Sequence, residues 1–193
     1  MIKHEGYKVR FQEGLREILD TTLEYIRHEK SAAILVPIML AERPKLVMIL
    51  RSKNLSRSAG HVAFPGGIRE VDETPLDTAL RESEEEIGVE AHKIEVLGFL
   101  SPKEVIEHRI KIHPVVGVMK ETELKPDDYE VSRILVDDFQ KVLLSRRIAD
   151  WGPNFECDGE LIWGASSRIL DDFYLRIIRR FGSIEKFFSS IHL

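Results

Sequence analysis

FPGGIREVDETPLDTALRESEEEIGV, residues 64–89, couples a glycine turn to an acidic helix. Thr74 is a capping residue, and Pro75 suits the first helical position because it has no N–H to leave unpaired. Asp77 falls in the first turn, where negative charge meets the positive end of the helix. Gly88 is the stop, since glycine accepts the left-handed conformation that closes helices. The spacing therefore predicts a helix from about Pro75 to Ile87.

At roughly 100° per residue, Leu76, Ala79, Leu80, Ser83 and Ile87 share one stripe that faces the core. Ser83 sits mid-stripe, where a small side chain permits close packing. Glu82, Glu85 and Glu86 fall on another face, as i, i+3 and i+4. Like charges at that spacing repel by roughly 0.2–0.5 kcal/mol per pair, and Arg81 offsets only part of this. One reading is a solvated acidic face. The other is a site for a hard divalent cation, which takes oxygen ligands and completes its shell with water and phosphate oxygens.

Gly67, Glu73, Arg81-Glu82, Glu85-Glu86 and Gly88-Val89 follow G-x5-E-x7-R-E-U-x-E-E-x-G-U, with U aliphatic; Ser83 is the departure. The pattern resembles the signature of the Nudix hydrolases. That resemblance implies an α/β fold, the Nudix-type α/β/α sandwich with a mixed central sheet and a catalytic loop-helix-loop. Periodicity by itself gives only the α/β class. It further implies hydrolysis of a nucleoside diphosphate linked to another group, with Mg²⁺ or Mn²⁺ held by Glu82, Glu85, Glu86 and the carbonyl of Gly67. Glu73 and Arg81 would orient the glutamates. Glu130, expected at a helix start before Val131, is a candidate additional acid, as are Glu104 and Glu107.

The segment before this box is similar to a motif of the coenzyme A diphosphatase branch, L-L-T-x-R-S-x3-R-x3-G-x3-F-P-G-G. Arg51, Ser52, Gly60 and Phe64-Pro65-Gly66-Gly67 match in register; Ser56 stands at the second arginine, with Arg57 one residue late, and Met48-Ile49 replaces Leu-Thr. His113-Pro114-Val115-Val116-Gly117 and Ile162-Trp163-Gly164-Ala165-Ser166 are similar to segments further along that branch. The resemblance implies cleavage of coenzyme A or its derivatives to 4′-phosphopantetheine species and adenosine 3′,5′-bisphosphate. Arg51, Arg57, Ser52 and Gly66 would bind substrate. Arginine grips phosphate oxygens with a planar fork, although Arg51, Lys53 and Arg57 also read as solvated loop charges. Other nucleotide diphosphates are the alternative: ADP-ribose, NADH, dinucleotides or nucleoside triphosphates. A non-catalytic nucleotide-binding module is a third reading, disfavoured because such modules usually lose the box glutamates.

At 193 residues and 43% hydrophobic content the chain suits one domain. Its expected parts are an N-terminal helical extension (1–30), the box (67–89) and C-terminal helices (165–193). Net charge −5 and pI near 5.8 argue against a general nucleic-acid surface. The single cysteine, Cys157, allows no internal disulfide and suggests a reducing, cytoplasmic setting; it reads as a bystander thiol. No apolar run reaches the roughly 18–20 residues of a membrane span, and the N-terminus lacks a signal-peptide core. The expected partner is therefore a small coenzyme A-like nucleotide, with neither nucleic acid nor membrane. Trp151, Trp163 and Phe187-Phe188 are candidates for a homodimer face, and core packing accounts for them equally well.

The remaining pattern predicts a helix over 11–28 and strands over 32–40, 45–51, 93–100 and 111–119. It also predicts an amphipathic helix over 131–144, weaker strands at 148–151 and 160–163, and helices over 165–180 and 183–191. A polar loop, 52–61, enters the glycine turn; a charged loop carries Glu104, Glu107, His108 and Arg109. Phe64 reads as a core residue beside His61.

Overall fold

The run Ser31–Leu40 forms β1 and is buried along its whole length. Its side chains alternate: Ile34, Val36, Ile38 and Leu40 enter one core cluster, while Ala33, Leu35 and Met39 face the opposite side. A strand covered on both faces reads as continuously apolar, and this one does. The computed structural model describes residues 2–56, 58–105 and 110–191.

β1 pairs antiparallel with β2 (Pro44–Arg51) and β4 (Gly66–Ile68), and parallel with β7 (Ile110–Lys120). β2 in turn pairs with β3 (Val62–Ala63) and β8 (Val131–Asp138). β7 pairs with β5 (Ile94–Phe99) and β6 (Lys103–Val105). The acidic helix α2 (Pro75–Ile87) packs on one face of this mixed sheet, against β1, β4 and β7. On the other face lie α1 (Ile2–Arg16), α3 (Phe139–Leu144), α4 (Gly164–Phe181) and α5 (Ile184–Ser190), which join one hydrophobic cluster around Phe11, Phe139, Phe173 and Phe187. The α/β sandwich with a mixed sheet is thus the fold. A small antiparallel sheet, β9 (Arg147–Ala149), β10 (Gly152–Cys157) and β11 (Glu160–Ile162), precedes α4.

The N-terminal helix differs from expectation: it spans Ile2–Arg16 rather than 11–28. Tertiary hydrogen bonds end it. Asp20 and Phe99 exchange backbone bonds of 3.0 and 2.9 Å, and Arg176 donates to the Ile18 carbonyl and the Asp20 carboxylate, each at 2.8 Å. Leu15, Ile18 and Leu19 are buried, but Ile26, counted on the same stripe, is 64% exposed. The helix predicted over 131–144 is a strand followed by a helix. Val131–Asp138 completes a ladder with β2, and the helix begins only where Asp138 Oδ1 accepts the Lys141 N–H at 2.9 Å. Glu130 consequently stands before a strand.

β10 was not anticipated, and Trp151 lies in the turn before it. Phe187 and Phe188 are core residues, whereas Trp151 and Trp163 are exposed, so these four do not form one face. Glu104 belongs to β6, where its carbonyl accepts from Arg168 at 3.0 Å. Glu107, His108, Arg109 and Arg57 lie outside the described residues.

Candidate active site

α2 occupies the range its sequence predicts, with the predicted caps. Thr74 Oγ1 accepts the Asp77 N–H at 3.2 Å, Asp77 Oδ2 accepts the Thr74 N–H at 2.8 Å, and Gly88 closes the helix at φ 72°. Ala79, Ser83 and Ile87 are fully buried as expected; Leu76 and Leu80 are only half-buried. For Glu86 the solvated-face reading fails, since only 2% of its surface is accessible.

The glycine turn explains that burial. Gly66 passes so close to β1 that an added Cβ would lie 2.6 Å from the Ile34 Cα, which only glycine avoids. Its N–H donates to Glu86 Oε2 at 2.8 Å, and Arg51 Nη1 donates to Glu86 Oε1 at 3.1 Å. A Cβ at Gly67 would fall inside the Glu82 carboxylate, so that glutamate lies flush on the turn. Phe64 anchors the turn in the core at 2% exposure, and the Pro65 carbonyl accepts from Leu35 at 2.9 Å.

Arg81 organises the other acids. Its Nε and Nη2 grip Glu73 at 2.6 and 3.1 Å, and its Nη1 donates to Glu82 Oε1 at 2.9 Å and Glu85 Oε2 at 3.0 Å. Glu73 also accepts from the Thr78 hydroxyl at 2.7 Å. The Arg81 fork, then that hydroxyl, hold the Glu73 carboxyl down at about 2 despite its desolvation. Burial acts the opposite way on its neighbours. It raises Glu82, and it pushes Glu86 up to about 7 against the pull of the Gly66 N–H and Arg51. Glu130 adds its charge to both, which puts its carboxylate in the same field. Its backbone is fixed as well: the Glu130 carbonyl accepts the Ser52 N–H at 2.8 Å. The Ser52 hydroxyl accepts locally from the Asn54 N–H at 3.3 Å.

Glu82 and Glu86 are thus brought against Gly67, Gly66 and Arg51 in the field of Glu130, and Glu85 joins them through Arg81. Hard carboxylate oxygens brought this close together, with those of Glu82 and Glu86 raised in proton affinity by burial, suit a divalent cation. In the rotamers present, these oxygens serve Arg81, Arg51 and Gly66, and among the described residues no three acids or histidines converge on one point.

A match to the NUDIX domain model covers residues 29–155. The chain belongs to the Nudix family. It is 36% identical over 118 residues to an uncharacterized Nudix hydrolase, NudL, of Pectobacterium atrosepticum, covering 60% of this chain and 61% of that protein. It is 35% identical over 116 residues to NudL of Escherichia coli strain K12, at 60% and 58% coverage. The chain therefore spans about three fifths of the length of these relatives. The fold of this Nudix protein is similar to a NUDIX hydrolase from Nitrosomonas europaea (TM-score 0.55, 16% identity, 84% of this chain and 77% of that one). It is likewise similar to a MutT/nudix family protein from Enterococcus faecalis (TM-score 0.54, 17% identity, 82% and 66%).

Sequence reasoning missed Arg69, two residues beyond Gly67. Its guanidinium donates to the carbonyls of Ile26, Arg27, Glu29 and Glu73 at 3.3, 2.6, 2.7 and 2.9 Å, and to Ser31 Oγ at 3.1 Å. It thereby fixes the loop entering α2. A hollow of about 700 Å³ lined in part by Lys111, His113 and Tyr25 includes none of the α2 glutamates. Among the described residues no helix is long and apolar enough to cross a membrane.

Proposed function

We propose that this Nudix protein is a divalent-metal-dependent hydrolase that cleaves the diphosphate of coenzyme A or its derivatives. The observation that carries the reading is Arg51, the basic residue of the coenzyme A-type segment, held 3.1 Å from Glu86 in the carboxylate cluster. Glu82, Glu85 and Glu86, with the Gly67 carbonyl, would hold Mg²⁺ or Mn²⁺. Bound there, the ion would neutralise diphosphate charge and lower the pKa of a coordinated water. Arg81, gripping Glu73, sets the rotamers of Glu82 and Glu85, a task for groups behind the ligands. Arg51, only 20% exposed along its side chain, supplies a forked donor at the cluster's edge. A carboxylate of the helix, or one from a later loop such as Glu130, would accept the water's proton; close carboxylates titrate together, so the acid limb of the pH profile would belong to the set rather than to one residue.

The Arg51–Glu86 pair also favours a second reading. An arginine held beside the carboxylates would reach the diphosphate rather than a 3′-phosphate, so nucleotides without that phosphate, ADP-ribose or NADH, would be served equally.

The test incubates the purified protein with Mg²⁺ or Mn²⁺ and coenzyme A, dephospho-coenzyme A, ADP-ribose or NADH, with products identified by mass. Release of adenosine 3′,5′-bisphosphate from coenzyme A, faster than cleavage of the others and lost in Glu85→Gln, is the expected result. Faster cleavage of ADP-ribose or NADH rejects the coenzyme A reading in favour of the second. Absence of metal-dependent cleavage of all four rejects both.

A further inference from the structure

One end of the sheet carries a row of residues, linked through their backbones, that runs away from the carboxylates. Glu130 bonds through its carbonyl to Ser52, and the next residue back, Arg51, donates its N–H to the His61 carbonyl at 3.0 Å. The His61 ring then lies 4.4 Å from that of Trp163, with 55° between their planes. β11, which ends at Ile162, contacts β3, which begins at Val62, so the contact joins two fixed elements. Even so, Trp163 stays 45% exposed.

A lone exposed aromatic needs no explanation, and Trp151, at 58% in the turn before β10, is such a residue. Trp163 differs because a chain of bonded neighbours ties it to Arg51 and so to Glu86. Arg51 ends β2 and His61 immediately precedes β3, the strand paired with it, and the indole stands one ring contact further out. The separation from Arg51 to the indole is on the order of 10 Å, from two strand-like spacings. Ribose and phosphate span a gap of that size between a base and a diphosphate.

We propose that Trp163, braced by His61, is the stacking platform for the aromatic base of the substrate nucleotide, a purine by preference because overlap grows with ring area. This rests on the reading of the site as a nucleotide diphosphatase. A stacking contact made equally in ground and transition states lowers KM and leaves kcat alone.

The chain has two tryptophans, so Trp151→Phe leaves Trp163 as the sole indole. Titrating this variant with ADP in the absence of divalent metal should quench its fluorescence saturably, whereas ribose 5-phosphate should not. In turnover, Trp163→Ala should raise KM for adenine nucleotides roughly 5- to 150-fold with kcat held, and Trp163→Phe should recover most of the loss. No ADP quench in a protein that still hydrolyses a diphosphate overturns the platform and leaves the hydrolase reading standing. A quench in a protein that hydrolyses none of the four substrates supports the platform and removes the hydrolase reading. A fall in kcat with KM unchanged also overturns it, because that is what a displaced α4 start would give.

Discussion

At the scale of single residues, the site contrasts acids that differ only in surroundings. Glu73 and Glu86 lie on the same turn-and-helix unit, yet the first is held at about 2 by the Arg81 fork and the second is raised to about 7 by burial. Sequence spacing identified both and could not rank them, because the ranking depends on how close the Gly66 backbone passes. Cys157 behaves as the bystander its isolation suggests: it is fully buried, and burial, then the charge of Asp137, pushes its thiol up to about 12. Two outcomes follow. A disulfide reagent such as dithionitrobenzoate should leave the folded protein unlabelled at pH 8 and label it in urea. Because an unfolded thiol ionises near pH 9 while the folded one holds its proton to about 12, stability should fall as pH rises through that window. Rapid labelling of the native protein would contradict the buried placement.

At the scale of elements, α2 was legible to the residue because its signals are local: a capping threonine, a proline at the start, a glycine at the stop. Gly88 is the sharpest of these. At φ 72° an alanine pays the left-handed penalty, and its Cβ would meet Lys125 Cβ at 2.9 Å. Gly88→Ala should therefore cost about 1–2 kcal/mol, read as a lower urea midpoint at unchanged slope; no change would mean the helix closes another way. Residues 131–144 were illegible for the complementary reason. Val131, Leu135, Phe139 and Val142 are all buried, a spacing compatible with one helix, and only the ladder with β2 makes the first half a strand. The helix predicted over 11–28 failed at Arg16 on bonds from Arg176 and Phe99, which lie far along the chain and leave no local mark.

At the scale of the whole molecule, the family-wide domain covers 29–155, yet the core reaches beyond it at both ends. Phe11 lies 6.3 Å from Phe139 and 5.8 Å from Phe187, ring to ring. Losing one buried phenylalanine costs about 3–5 kcal/mol, a large part of the 5–15 kcal/mol typical of a domain. A chain lacking residues 1–28 should therefore lose its cooperative melt by circular dichroism. A sharp transition near that of the full chain would show that α1 is an ornament. The Arg69 tie adds a consequence of another kind. It reaches the carbonyls of Ile26, Arg27 and Glu29, groups every amino acid carries. Apart from Tyr25, whose ring lies under the Arg69 guanidinium, the segment before β1 is thus read by its length and path rather than by its letters: side chains at 26, 27 and 29 can drift through generations unseen by the active-site loop, whereas a single inserted or deleted residue would be felt at once.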